Sequence, residues 1–259
     1  MPCDFDAALL KLVRSADSIV AFTGAGVSAE SGIPTFRNAL TGLWSKYNPE
    51  ELATPQAFEK HADLVSRWYD QRRCAVACCR PNPGHDALAT LQRMTTARGR
   101  FTLITQNVDG LHEAAGSTAV IELHGTLHAW RCVRCGDRAE ERGPAFEFYP
   151  RRCACGGRKR PDLVWFGEQL PPEAISKAQR ATEQCELFLS LGTSGVVHPA
   201  AALIELAWNS GAAILEINPE QTPYSHLANW AIRGKTGEVL PRLIAGAFEK
   251  DGSVARSRS

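Results

Sequence analysis

The chain has 259 residues, 44% of them hydrophobic, and 29 Lys and Arg against 28 Asp and Glu give a formal net charge of +1. Charge this balanced and scattered demands neither nucleic acid nor an anionic membrane surface as a partner. The apolar runs fall far short of a membrane span, and the length suits one large domain or a domain with a small module.

Met1-Pro2-Cys3-Asp4-Phe5-Asp6 is acidic and lacks the basic start of a secretory signal, so the cytosol is the expected compartment. Asp6 to Arg14 has an amphipathic helical pattern, and Ser18–Phe22 reads as a buried strand. The strand runs into Gly24-Ala25-Gly26-Val27-Ser28, then Ser31-Gly32-Ile33-Pro34. A strand, a glycine turn and a helix start together make an anion site, which points to a nucleotide phosphate. The segment departs from the dinucleotide fingerprint: Ala29 replaces the third glycine, and no second strand follows soon. The stretch from Pro34 to Asn48 has no clear period and reads as a mobile loop over a cofactor.

Glu59 to Cys79 is helical in pattern, with Leu64, Val65, Trp68 and Tyr69 on its apolar face, and Pro81-Asn82-Pro83-Gly84 breaks it. A helix over His85–Met94 and strands at Phe101–Thr105 and Ala119–Leu123 follow. Residues 128–160 form an island of cysteines, arginines and glycines without helical period. A strand at Leu187–Leu191, a helix over Pro199–Ser210, a strand at Ala213–Ile217 and a helix over Gly237–Phe248 close the pattern. The polar tail 251–259 reads as disordered. Strands alternating with helices predict an α/β fold with a Rossmann-like parallel sheet over 1–35, 84–127 and 161–250. The insertions 36–83 (helical, with the cofactor loop) and 128–160 (a zinc ribbon) are expected to form a smaller domain, with the active site in the cleft between the two.

Of nine cysteines, Cys3, Cys74, Cys78, Cys79 and Cys185 are scattered and read as free thiols. Cys132, Cys135, Cys153 and Cys155 form two short knuckles, C-x-x-C and the tighter C-x-C, which suit one tetrahedral zinc. Four protein ligands leave no open position, so the metal is structural. Two polar clusters end strands at the same sheet edge as Gly24: Thr105-Gln106-Asn107-Val108-Asp109 and Glu122-Leu123-His124-Gly125. His124 is the candidate proton-transfer residue. His112, expected inside a helix, and His128, at the start of the cysteine island, are set aside.

In this order, these motifs resemble the sirtuins, NAD-dependent protein lysine deacylases. The resemblance also takes in Phe36-Arg37, Val164-Trp165-Phe166-Gly167-Glu168, Gly192-Thr193-Ser194 and Ile217-Asn218, and runs from about residue 18 to 241. It implies that NAD is a consumed cosubstrate. It assigns Gly24, Ala25, Gly26, Ser28, Ile33, Pro34, Phe36, Arg37 and Trp44 to the phosphates and nicotinamide ribose, and Gln106, Asn107 and Asp109 to the nicotinamide and its ribose. Gly192, Thr193, Ser194, Asn218, Pro219 and Glu220 would hold the adenosine half, with Thr236 near the adenine. Val164 and Phe166 would line the acyl-lysine tunnel. The implied chemistry is attack of the acyl oxygen on C1′ as nicotinamide leaves, helped by Asn107 and Asp109. His124 then acts as general base for a ribose hydroxyl. The stretch Asn38–Trp44 is one residue longer than in some relatives.

Tyr69 and Arg72 lie three apart on one helical face. The pair resembles the Tyr-x-x-Arg motif of class III sirtuins, which remove succinyl, malonyl or glutaryl groups, and Arg73 is an alternative cation. Desuccinylase and demalonylase activity is therefore expected beside deacetylation, on acyl-lysine proteins or peptides, by a monomer with no membrane or nucleic-acid partner. The competing readings are an NAD-dependent ADP-ribosyltransferase, which cleaves the same bond, and a zinc-ribbon interaction or nucleic-acid module built on the island's arginines.

Overall fold

The computed structural model describes residues 5–34 and 52–248; the long cofactor loop and the tail expected from the sequence lie outside them. Among the described residues, nine strands run in chain order. They are β1 (Ser18–Thr23), β2 (Arg100–Thr105), β3 (Ile121–Glu122), β4 (Gly125–Cys132), β5 (Arg138–Glu140), β6 (Lys159–Leu163), β7 (Leu187–Leu191), β8 (Ala213–Ile217) and β9 (Trp230–Ile232). Six of them form a sheet in the order β3-β2-β1-β7-β8-β9, and every pairing in it is parallel. The other three form an antiparallel sheet in the order β5-β4-β6.

Helices cover both faces of the parallel sheet, as its continuously apolar central strands require. On one face lie α1 (Ala7–Ser15), α4 (Pro83–Thr96) and α8 (Thr236–Phe248), whose Leu9, Val13, Leu88, Leu91, Leu240 and Leu243 pack on Ile19, Ala21 and Leu189. On the other lie α6 (Pro172–Glu183) and α7 (Ala202–Asn209), which meet Val20, Phe22, Ile104 and Phe188 through Ala178, Leu203, Ile204 and Ala207. Asp6 caps α1 by accepting from the Ala8 and Leu9 N–H groups at 2.7 and 3.3 Å. The sheet order reverses at β1: the chain builds outward to β2 and β3 on one side and to β7, β8 and β9 on the other. The crevice at the carboxyl ends of β1 and β7 is therefore the topological switch point where open α/β sheets bind ligands.

Two more helices, α2 (Pro55–Lys60) and α3 (Ala62–Ala77), pack with the antiparallel sheet. Phe58, Val65, Trp68 and Tyr69 from the helices share one buried cluster with Leu127, Trp130, Leu163 and Trp165. A buried ion pair fastens the two parts. Arg73 is 1% exposed and gives all five N–H donors to acceptors, at Asp70 Oδ1 (twice) and the carbonyls of Glu141, Gly143 and Pro144. Asp70 Oδ2 accepts from the Phe146 N–H and the Tyr149 hydroxyl. A fully buried charge is tolerable only with this degree of pairing.

The knuckles close the far end of this sheet. The Sγ atoms of Cys132, Cys135, Cys153 and Cys155 all lie within 4.8 Å of one another, with 3.5 Å between Cys132 and Cys155 and 3.7 Å between Cys135 and Cys153. A tetrahedral zinc with about 2.3 Å bonds sets sulfurs roughly 3.8 Å apart, so the four thiols fit one ion. Gly157 makes the tight second knuckle possible, because a Cβ there would stand 2.6 Å from Cys132 Sγ.

The structure differs from the sequence expectations in several places. The helix expected over Glu59–Cys79 is two helices, broken at His61 (φ −136°, ψ 55°). The hydrogen bonds Ala57 O to His61 N and His61 O to Val65 N survive the break, so the apolar spacing carries no mark of it. The strand expected at Ala119–Leu123 shrinks to two residues, because Ala119 sits in the left-handed region (φ 53°). Helix α6 and strand β9 carry no clear signal in the sequence. The apolar face of α6 is mostly alanine, and β9 is a three-residue edge strand. The cysteine island is strand-built, and its sheet starts at Gly125 and ends at Leu163, beyond the island on both sides. Among the described residues, no helix is long and apolar enough to cross a membrane.

The thiol geometry predicts one zinc per chain by metal analysis. Chelation, or Cys135→Ser, should remove it and lower Tm by roughly 10 °C. Purified protein without metal and insensitive to chelators would contradict the assignment.

Candidate active site

The turn after β1 differs from its sequence reading. No α-helix starts there; two three-residue 3-10 turns, Ala25–Val27 and Ala29–Ser31, follow Gly24. A long helix dipole is therefore not available to an anion at this point. Close backbone packing takes its place. The Gly24 N–H donates to the Leu191 carbonyl at 3.0 Å and the Gly26 N–H to the Gly192 carbonyl at 2.8 Å. A Cβ on Gly26 would meet Gly192 O at 2.7 Å, and one on Gly192 (φ 56°) would meet Val27 N at 2.6 Å. The turns after β1 and β7 thus close on each other across the switch point.

The polar cluster after β2 folds into the same crevice. Gln106 Nε2 donates to Thr193 Oγ1 at 2.9 Å, and Asn107 Nδ2 donates to Gly24 O and Ser28 Oγ, both at 3.1 Å. Ser28 Oγ donates to Asp109 Oδ2 at 2.8 Å, and the other Asp109 oxygen caps Leu111 N at 2.9 Å. Gln106, Asn107, Asp109, Gly24, Ser28 and Thr193 are therefore brought together, as the sequence predicts.

The donor order below them is fixed. The Asn82 N–H lies 3.3 Å from His85 Nδ1, so that nitrogen is the acceptor. His85 Nε2 carries the proton and faces Ser28 Oγ at 3.4 Å. Ser28 spends its own proton on Asp109. Burial pushes the pKa of His85 down, against the opposing pull of Asp109 and Asp86. His85 and Asn82 were not singled out from the sequence. Their signal was the Asn-Pro-x-His spacing of a reciprocal cap, formed here with Asn82 as N-cap of α4 and His85 at its third position.

His124 stands on the next strand end, half-buried. Its Nδ1 is 3.0 Å from the Gln106 carbonyl. A carbonyl only accepts, so Nδ1 carries the proton and Nε2 keeps a lone pair. Burial lowers its pKa, partly offset by that carbonyl, so the ring is a neutral base near pH 7. The His124 carbonyl accepts from Val164 N at 3.0 Å, and Phe166 N donates to Ala53 O at 2.9 Å. Val164 is half-buried and Phe166 is 45% exposed. The segment carrying them therefore runs between the base and the helical module.

Between Val164 and Phe166, Trp165 is buried in a stack. Arg160 lies 3.3 Å over its ring, and the Tyr69 ring stacks at 5.9 Å and 24°. Arg160 is held by both oxygens of Glu168, at 2.6 and 2.8 Å. Tyr69 is buried, and burial raises its phenol pKa against the pull of nearby Arg72, so it stays a protonated donor. Arg72 is half-buried over the Trp68 ring at 4.6 Å, and burial lowers its pKa. Arg73, the alternative cation, is consumed by Asp70 and three carbonyls.

At the far end of the crevice, Ser194 and Asn218 are half-buried, while Pro219 and Glu220 are exposed. Asn218 Nδ2 donates to Glu220 O at 2.9 Å. Thr236 is 1% exposed and its hydroxyl has no partner. Ile33 packs against the cluster shared by the helical module and the ribbon, and Pro34 is exposed. Phe36, Arg37 and Trp44 lie outside the described residues. Glu30 accepts from Gly237 N at 2.8 Å and ties this turn to α8.

Known proteins share this arrangement. Residues 24–199 match the model of the Sir2 family. NAD-dependent protein deacylase 1 of Pseudomonas aeruginosa is 49% identical over 252 residues, covering 93% of this chain and 98% of its own. A solved Sir2 homologue in complex with NAD has a TM-score of 0.88 at 46% identity and covers 94% of each chain. A Sir2 structure bound to an acetylated peptide has a TM-score of 0.79 at 30% identity, covering 92% of this chain and 96% of its own. The fold, the crevice and these likenesses agree, and the chain belongs to the Sir2 family.

Proposed function

We propose that this chain is an NAD-dependent protein lysine deacylase that removes acetyl and acidic acyl groups, releasing nicotinamide, O-acyl-ADP-ribose and free lysine. The observation that carries the reading is His124. Its proton is fixed on Nδ1 by the Gln106 carbonyl, which leaves Nε2 as a neutral base beside the polar crevice. The deacylase relative and the NAD-bound homologue support the cosubstrate.

In this reading NAD lies along the switch-point crevice. Gly192–Ser194, Asn218–Glu220 and Thr236 hold the adenosine half. The glycine turn, Ser28, Ile33 and Pro34 hold the phosphates and ribose, with Phe36, Arg37 and Trp44 of the cofactor loop. Gln106, Asn107 and Asp109 face the nicotinamide and its ribose. The acyl oxygen attacks C1′ while nicotinamide departs with the bonding pair, and the Asp109 carboxylate, already oriented by Ser28, offsets the developing positive charge. His124 Nε2 then takes the proton of a ribose hydroxyl, whose oxygen attacks the acyl carbon. The lysine nitrogen leaves with the C–N bonding pair and picks up that proton, and water adds to the acyl carbon, so that its oxygen stays in the ester as the bond to the C1′ oxygen breaks. The peptide adds as a strand along the backbone near Val164 and Phe166, with acyl-lysine passing between the module and the sheet.

Tyr69 and Arg72 receive a terminal carboxylate on the acyl group, because Arg73 has no donor left for it. The shared cluster of helices and ribbon supports dividing the chain into a nucleotide-binding domain and a smaller domain of 36–83 and 128–160. The proposal takes a cytoplasmic monomer without a nucleic-acid partner. Arg131, Arg138, Arg142 and Arg151 of the ribbon are each paired with a carboxylate, whereas Arg134, Arg152 and Arg158 donate to backbone carbonyls and keep their charge.

Arg72→Met should cut kcat/KM for a succinyl-lysine peptide by roughly 10- to 100-fold while an acetyl-lysine peptide stays within about twofold. Equal losses on both would remove the carboxylate role. His124→Tyr should abolish deacylation of both peptides. In the wild type, the acid limb of kcat/KM should fall below the ordinary histidine value of about 6.5, because the lowered pKa keeps the base unprotonated to lower pH. An active His124→Tyr enzyme, or an acid limb above that value, would contradict the base assignment.

A further inference from the structure

A second histidine beneath the crevice has no part in the chemistry above. His112 lies on the short helix α5 (Leu111–Ala114) and is 1% exposed. Its Nε2 is 3.0 Å from the hydroxyl of Thr23, the last residue of β1. Thr23 donates its only proton to Thr105 Oγ1 at 2.8 Å, directly across the parallel pair. The Thr23 oxygen can therefore only accept from the ring, which fixes the proton of His112 on Nε2. Thr105 Oγ1 also accepts the peptide N–H of Asn107 at 3.0 Å. His112 Nδ1 is buried and has no hydrogen-bond partner.

We infer that His112 is a positioning residue for NAD cleavage: a neutral donor that orients the Thr23 hydroxyl and, through Thr105, anchors the backbone of Asn107 under the nicotinamide. The inference rests on the proposed NAD reading of this crevice. A donor at this place must be permanent, and the surroundings make it so. Protonation would add an N–H at Nδ1, where no acceptor lies, beside the His85 ring at 4.9 Å. Burial, with His85 close by, holds the pKa down at about 3. Without the Nε2–H, the Thr23 hydroxyl is free to turn its proton elsewhere. Thr105 then loses the donor opposite Asn107, and the segment carrying Asn107 and Asp109 loosens.

The test uses four full-length enzymes: wild type, His112→Leu, His112→Asn and His112→Gln. Glutamine can return an amide donor near the Nε2 position, whereas asparagine places its donor near Nδ1. We expect Leu and Asn to lower kcat/KM for NAD about tenfold, equally with succinyl- and acetyl-lysine peptides, and Gln to recover most of that loss. Thr23→Val should cost a similar factor and add little to His112→Leu, since both act through one chain. Nitrogen-15 NMR of the wild type should show His112 as the Nε2–H tautomer, unchanged from about pH 5.5 to 8.5.

Variants that melt lower but keep wild-type kcat/KM per folded molecule would reduce His112 to packing and overturn the inference. So would a Gln variant no better than Leu, or an Nδ1–H signal. A wild type without NAD-dependent deacylation would instead overturn the functional reading, and the tautomer measurement would still decide whether the donor chain exists.

Discussion

Gly26 and Gly192 approach each other so closely that neither position can carry a side chain, and the rest of the site is arranged around that contact. A Cβ on Gly26 would fall 2.7 Å from Gly192 O, and one on Gly192 would fall 2.8 Å from the Gly26 backbone. The contact occurs where β1 and β7 end side by side, the one place where the sheet order reverses direction. Two strand-end turns locked by N–H to carbonyl bonds form a rigid crevice floor with almost no side-chain volume. A nucleotide can lie against such a floor without displacing anything, and the side chains that act on it come from the neighbouring strand ends.

Those side chains are held by donors that run in one direction. His85 gives its proton to Ser28, Ser28 to Asp109, and Asn107 bridges Gly24 and Ser28. Each hydroxyl has one proton to give, so the order leaves Asp109 as the terminal acceptor, one oxygen on Ser28 and the other on Leu111 N. His124 is set the same way, by a carbonyl that fixes its tautomer. The smaller unit meets this network through backbone bonds from Val164 to His124 and from Phe166 to Ala53. Between them, Trp165 is clamped by Arg160 and Glu168 and supports Tyr69. The antiparallel sheet beside the four thiols thus also carries the clamp on Trp165, because Arg160 lies on β6, a few residues after Cys155.

Much of this was legible in the sequence because short motifs record backbone demands. The glycines of Gly24–Gly26 and Gly192 mark the close approach, the cysteine knuckles mark the ribbon, and the polar residues after apolar strands mark the sheet edge. What escaped depends on partners distant in sequence. Arg73 and Arg72 are adjacent and chemically alike, yet only the fold shows that Asp70 and the carbonyls of 141–144 consume one of them. The break at His61 leaves the hydrophobic spacing intact, and α6 hides because its buried face is mostly alanine. The sequence also led to an α-helix start after Gly24, where the chain makes 3-10 turns and replaces dipole with packing.

The proposed chemistry joins cleavage of NAD to removal of an acyl group from lysine in one crevice. Mass spectrometry of the products from a succinyl-lysine peptide and NAD, run in oxygen-18 water, tests it most directly. Nicotinamide, free-lysine peptide and O-succinyl-ADP-ribose are expected in equal amounts, with one heavy oxygen from water entering the succinyl ester. ADP-ribose attached to protein without deacylation, or free succinate released while NAD stays intact, would contradict it.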